Sequence, residues 1–195
     1  MEYRTFGRTR QQVSAIGFGG GPAGVPNYLM DWDSSAADTQ TAVERAVRRA
    51  LDRGITYFDT APGYGGGISE SVIGRALGAD RQRIFLATKT PATQRTPAGI
   101  RESLEVSLRL LQTDYVDLLQ LHGSWYSDKD VTRIVEGGCL DAYEQLRTIL
   151  ATTGRERSAT EHLRDLASGP SPREREAVRA TLADTRPPYP DPSAP

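Results

Sequence analysis

Cysteine occurs once in this 195-residue chain, at Cys139, so no disulfide framework and no thiolate metal site can be built from it. Lysine occurs twice, at Lys89 and Lys129, and every other basic side chain apart from the two histidines is an arginine. An excess of charge of either sign is also missing. The formal net charge is −1, which removes the global field that would gather nucleic acid or an anionic membrane surface. No window approaches the ~20 consecutive apolar residues of a membrane span. The opening MEYRTFGRTR has no apolar core of the kind a secretory signal needs. Together these absences lead us to expect a soluble, cytoplasmic protein with no nucleic-acid or membrane partner. What is present is ordinary for a globular protein: 37% hydrophobic and 25% charged residues, on a chain long enough to bury one core.

The patterning changes period along the chain. Residues 2–6 and 13–18 are short β-prone runs around a polar turn, and they read as a hairpin or as a cap followed by a strand. From Asp38 onward, Ala42, Val43, Ala46, Val47, Ala50 and Leu51 recur at helical spacing, with Asp38 as the expected N-cap and Gly54 as the stop. Val72, Ile73, Ala76 and Leu77 form a second helical face, ended at Gly78. Thr96-Pro97 reads as an N-cap followed by proline at the first helical position, opening the stripe Ile100, Leu104, Leu108 and Leu111. Strands are expected at 15–19, 55–59, 84–88 and 115–121. The last three runs start at 55, 84 and 115, about one strand–helix–strand unit apart. Such alternation predicts a parallel sheet with right-handed crossovers.

After Leu150 no segment reads as a strand. Residues 159–167 and 172–184 read as short, charged helices, and RPPYPDPSAP, with five prolines, as a disordered tail. The expected organisation is a barrel part at 1–153, charged helices at 154–185 and a tail at 186–195.

Polar residues end three successive expected strands: Asp59 in Phe58-Asp59-Thr60-Ala61, Lys89 in Ala87-Thr88-Lys89-Thr90 and His122 in Gln120-Leu121-His122-Gly123. The C-terminal rim of a (β/α) barrel is where reacting groups gather. Tyr64, in the loop after Asp59, can reach over the same rim. A phenol with an ordinary pKa near ~10 is a poor proton donor at neutrality. A neighbouring ammonium stabilises the phenolate, a carboxylate keeps that ammonium charged and in place, and an imidazole can hold a carbonyl oxygen beside the phenol. The set suits protonation of an alkoxide formed by hydride delivery to a carbonyl carbon. Each residue alone has a plainer reading: Lys89 and Asp59 as a structural ion pair, Tyr64 as a turn residue, His122 as a structural histidine.

Phe58-Asp59-Thr60-Ala61-Pro62-Gly63-Tyr64-Gly65, followed by Ser69-Glu70 and Gly74, resembles the signature of the aldo-keto reductase family around its aspartate and tyrosine. Ala87-Thr88-Lys89 resembles the family's lysine strand, and Asp114 to His122 its histidine strand. The opening Tyr3 to Thr9 and Val13 to Gly19 fit as well, so the resemblance covers about residues 2–147. It implies an NADPH-dependent oxidoreductase, less often NADH-dependent, on an eight-stranded (β/α)8 TIM barrel. Tyr64 would be the general acid, Lys89 would lower its pKa, Asp59 would pair with Lys89 and His122 would orient the carbonyl. Gly20 and Asp59 would border the cofactor, while Trp32 and Trp125 could line a substrate pocket or seal the rim.

A (β/α)8 barrel needs about 250 residues, and only four barrel strands can be placed here. The expectation is therefore a truncated TIM barrel of the α/β class: four parallel strands with flanking helices, an N-terminal β-hairpin and the proline-rich tail. Two functional expectations stand together, a reductase and an inactive fragment that associates with itself through open barrel edges or with a full-length relative. A third, a Rossmann-type site at Gly19-Gly20-Gly21-Pro22-Ala23-Gly24, is disfavoured because Pro22 and Pro26 follow where a helix should open. His162 and the alternating Arg173-Glu174-Arg175-Glu176 read as solvated surface.

Overall fold

In the computed structural model, a polar turn folds β1 (Tyr3–Thr5) back on β2 (Gln12–Ser14) as an antiparallel pair, with Arg4 opposite Val13. The hairpin half of the earlier alternative is the one observed. The structure describes residues 1–28, 31–123, 126–152 and 176. The charged segments at 159–167 and 172–184 (Glu176 apart), the tail at 186–195 and Trp125 lie outside the described residues.

β3 (Gly17–Gly19), β4 (Tyr57–Asp59), β5 (Phe85–Thr90) and β6 (Leu118–Leu121) form one parallel sheet in that order. Asp59 lies level with Gly19 and Ala87, and Lys89 with Gln120. The connections carry α1 (Gly21–Gly24), α2 (Ala37–Asp52), α3 (Ile68–Leu77) and α4 (Pro97–Leu111); α5 (Asp128–Glu136) and α6 (Cys139–Thr152) follow β6. Parallel strands alternating with helices form the α/β architecture of a partial (β/α)8 barrel. No helix among the described residues is long and apolar enough to cross a membrane.

The described residues form two compact units, Met1–Pro91 with Ser103–His122, and Ala92–Glu102 with those from Gly123 on. In the first, period-two alternation divides the sheet residues between two faces. Phe58, Leu86 and Thr88 share one face and are fully buried, along with Val47, Val72, Ile73, Leu77 and Leu111. Burying one such large apolar side chain stabilises by about 1.5–3 kcal/mol. Tyr57, Asp59, Phe85, Ala87 and Lys89 share the opposite face. Phe6 of the hairpin packs there against Tyr57 and Phe85, with ring centroids 5.6 and 4.9 Å apart, and covers its N-terminal end.

All four sheet strands start later than the periodicity predicts, β5 by a single residue; at the other three, side-chain oxygens engage the first backbone groups. The Ser14 hydroxyl accepts from Thr56 N (2.9 Å) and Tyr57 N (3.3 Å) and donates to Ile16 O (2.6 Å), so β3 begins at Gly17 and β4 at Tyr57. The Asp117 carboxylate accepts from Leu86 N (2.9 Å) and from Arg81 (2.8 Å), so β6 begins at Leu118. α2 also differs at its start. Its N-cap is Ala36, and Asp38 lies in the first turn, where its charge favours the helix N-terminus. Gly54 ends α2 as expected, at φ +80°, where the Tyr3 phenol donates to its carbonyl (3.0 Å).

In the second unit Thr96 caps α4, its hydroxyl accepting from Gly99 N (3.1 Å). Ser127 and Asp130 form a capping box on α5. Arg95, buried at 4% side-chain exposure, pairs with Asp130 (3.2 Å) and lies over the Tyr126 ring (4.4 Å). The buried Cys139 thiol donates to Arg95 O (3.3 Å), and burial pushes its pKa up, away from thiolate chemistry.

Candidate active site

β4 and β5 bring Asp59 and Lys89 to one face, near the C-terminal ends of adjacent parallel strands. The Lys89 ammonium donates to Asp59 Oδ1 (2.5 Å), to the Thr60 carbonyl (2.8 Å) and to Tyr64 Oη (3.3 Å). All three of its N–H bonds are thus directed, as an ammonium at 12% side-chain exposure requires. The Asp59 side chain is 25% exposed and opens toward solvent.

Tyr64 reaches this ammonium from a glycine-rich loop. Its N–H turns back onto Ala61 O (3.1 Å), and its carbonyl accepts from Ser69 N (3.3 Å) at the start of α3. Gly24 of α1 lies against the backbone of this loop. A Cβ on Gly24 would collide with the Tyr64 carbonyl, and one on Gly65 with the Gly24 carbonyl. Gly65 also holds φ +70°, a conformation that glycine adopts without strain. His122 follows β6, and its N–H extends the ladder onto Thr90 O (3.0 Å). Its ring stands edge-on to Tyr64, with centroids 5.5 Å apart at 89°. Ammonium, phenol and imidazole therefore share one rim, with the Asp59 carboxylate behind the ammonium.

The other expected contacts fall out differently. Gly20 is buried and its backbone is used internally: its N–H donates to Asp59 O (2.7 Å), and its carbonyl accepts from Ser69 Oγ (2.8 Å). A Cβ there would lie 2.6 Å from Ser69 Oγ, so packing of the chain on itself accounts for this glycine. Trp32 donates from Nε1 to Pro22 O (2.6 Å) and pins its loop to α1. Two contributors escaped sequence reasoning: the Thr60 carbonyl and the Gly24–Gly65 contact; Glu70, quoted above only within a motif, is completely buried on the sheet's other face. The glycines flanking Tyr64 were the available signal for the second.

The model of the aldo/keto reductase family matches residues 15–155. The chain belongs to the aldo/keto reductase family. It is 39% identical over 132 residues to aldo-keto reductase YhdN of Bacillus subtilis, covering 63% of this chain and 38% of that protein. It is 35% identical over 137 residues to L-galactose dehydrogenase of Arabidopsis thaliana, covering 67% and 40%. Among solved structures, the holo form of an aldo-keto reductase from Bacillus halodurans superposes with a TM-score of 0.62 at 34% identity, over 77% of this chain and 47% of that one. An aldo/keto reductase from Klebsiella pneumoniae in complex with NADP and acetate gives 0.59 at 30% identity, over 72% and 44%. The chain thus spans less than half the length of each of these relatives.

Proposed function

We propose that this chain carries the proton-delivery machinery of an NADP(H)-dependent carbonyl reductase, acting on an aldehyde or ketone or, in reverse, on an alcohol or sugar. The observation that carries this reading is the Lys89 ammonium, which donates at once to Asp59, Thr60 and the Tyr64 phenol. The NADP named in the Klebsiella pneumoniae complex supports the cofactor class.

The donor set fits the ring end of a nicotinamide cofactor: one acid, one cation directly beside it, and a carboxylate on the rim that we assign to border the ring. Gly20 is closed by Ser69 and Ile73 and is not part of that assignment. When bound, the cofactor supplies the hydride. His122 holds the substrate carbonyl oxygen toward the phenol. As charge develops on that oxygen, the Tyr64 O–H bond breaks and its proton goes to the oxygen. The phenolate left behind faces an ammonium held 3.3 Å away, and Asp59 and Thr60 prevent that ammonium from turning toward solvent. A positioned general acid of this kind contributes about 10²–10⁴-fold to rate.

A second reading rests on two observations. β3 and β6 are the outer strands of the sheet formed by the described residues, and the chain spans 47% of the Bacillus halodurans structure. Open strand edges template further pairing. The alternative is an inactive chain that associates with itself, as a homodimer, or with a full-length relative.

Titrating the chain with NADPH by fluorescence, and assaying it with a reactive aldehyde, separates the two. Binding with NADPH oxidation is expected; their absence removes the reductase reading. A dilute monomer by size-exclusion chromatography with light scattering removes the association reading.

A further inference from the structure

Glu70, the third residue of α3, is fully buried on the face of β5 opposite the proposed site. Its Oε1 accepts from Thr88 Oγ1 at 2.7 Å. Its Oε2 is buried without a hydrogen bond, and so is the hydroxyl oxygen of Ser107 on α4. The Ser107 hydroxyl nevertheless acts on the Glu70 carboxyl, so the two groups are neighbours. One turn further along both helices, Gly74 meets Leu111 so closely that a Cβ would lie 2.6 Å from the Leu111 carbonyl carbon. That close approach fixes Glu70 against Ser107.

The Ser107 hydroxyl can donate to a carboxylate or accept from a carboxylic acid, so the pair alone does not place the proton. Glu70 is fully buried and no ion pair among the described residues reaches it, which favours the acid because an unpaired buried charge is costly; the acid donates from the oxygen that Thr88 leaves free. We propose that Glu70, held as a neutral carboxylic acid, is a positioning residue for Lys89: it clamps Thr88 between α3 and α4, and so fixes the β5 backbone from which Lys89 reaches Asp59 and Tyr64. The inference rests on the reductase reading for its meaning, but the geometry it concerns does not depend on turnover. Burial raises the Glu70 carboxyl above its ordinary range, working against the Thr88 hydrogen bond, the neighbouring Ser107 hydroxyl and the charge of Lys89. Lys89 is the charged group acting on it. A neutral acid behind the ammonium leaves Asp59 as its carboxylate partner on the reacting face.

The chain's two lysines supply the test. Lys129 is exposed and serves as an internal reference for Lys89. The full chain is acetylated with an N-hydroxysuccinimidyl ester, and each site is followed by mass spectrometry. Lys89 should react about tenfold or more slowly than Lys129, as a group protected until its surroundings open. Glu70→Ala should abolish that protection and leave Lys129 unchanged, while Glu70→Gln, neutral and of the same shape, should restore it. Infrared spectra at neutral pH should show a carboxylic-acid carbonyl band that Glu70→Gln removes. Protection of Lys89 that survives Glu70→Ala, damage by Glu70→Gln equal to that by Glu70→Ala, or absence of the acid band would each overturn the proposal. If Glu70→Ala does not fold, Thr88→Val breaks the same hydrogen bond: an exposed Lys89 supports the proposal and a protected one overturns it. Labelling reads the packing of Lys89 and not catalysis, so a chain that fails the NADPH and aldehyde assays still gives a decisive result here.

Discussion

Among the described residues, several clusters combine a cation, an aspartate and a tyrosine; two of them differ in which part of the tyrosine the cation meets, and the first is the one we propose as a reactive site. In the first unit Lys89 pairs with Asp59 beside Tyr64; in the second, Arg95 pairs with Asp130 beside Tyr126. The Lys89 ammonium is a compact donor that reaches the phenol oxygen at 3.3 Å and lies 4.8 Å from the ring centroid. The Arg95 guanidinium lies 4.4 Å over the face of its ring, a packing contact with the π-system. Asp59 sits on a strand-end rim, whereas Asp130 is engaged in capping α5. Composition is shared between the clusters. What differs is whether the cation addresses the tyrosine's oxygen or its ring.

The largest expected effect comes from removing that oxygen. Tyr64→Phe should lower aldehyde turnover about 10²-fold or more with NADPH binding intact, while Tyr126→Phe should leave turnover unchanged. Steady-state assays of both variants check the contrast, and equal losses would break it. Next, Arg95→Met should destabilise the chain by about 2 kcal/mol in urea unfolding, because it removes a charge-assisted contact with Asp130 and the stacking on Tyr126. Its effect belongs to stability and not to the chemical step.

Gly24→Ala should cost about 2 kcal/mol through overpacking and should also lower kcat, because the new Cβ displaces the Tyr64 backbone. A loss of stability with kcat unchanged would show that Tyr64 does not depend on that contact. The smallest effect is expected at the capping box, where Ser127→Ala should cost about 1 kcal/mol near neutral pH. The Ser127 hydroxyl hydrogen bond is the first cause holding the Asp130 carboxyl below its ordinary 3.8, against a smaller opposing push from burial and with help from Arg95. A carboxyl lowered by folding adds stability above 3.8 that is lost as pH falls through its depressed value. The gap between the chain and Ser127→Ala should therefore be widest at neutral pH and narrow below that point, to what the bond from Asp130 N alone contributes. A gap that stays constant on acidification would assign the effect to capping alone.

Much of the site was legible in the sequence for one physical reason. Parallel strands buried on both faces read as apolar runs, so the polar residues Asp59, Lys89 and His122 stood out where those runs ended. Thr96-Pro97 and Gly54 were legible because capping and left-handed φ are local demands. Strand starts were not, since they turn on Ser14 and Asp117 reaching backbone donors far away in sequence. The Thr60 carbonyl was invisible because a backbone acceptor leaves no trace in residue type. Glu70 was noticed only as part of a motif, because a glutamate on an amphipathic helix carries no mark of being buried.

The sequence by itself determined the strand–helix alternation, the family and the identity of the groups at the rim, because periodicity, caps and strand-end polarity are properties of short segments. Only the tertiary structure decided which of those groups meet. It sent all three Lys89 donors to Asp59, Thr60 and Tyr64. It used Gly20 for internal packing, and it buried the Glu70 carboxyl behind β5. Those outcomes depend on strand register and on the close approach of α3 to α4, and register is set by the whole sheet and its packing.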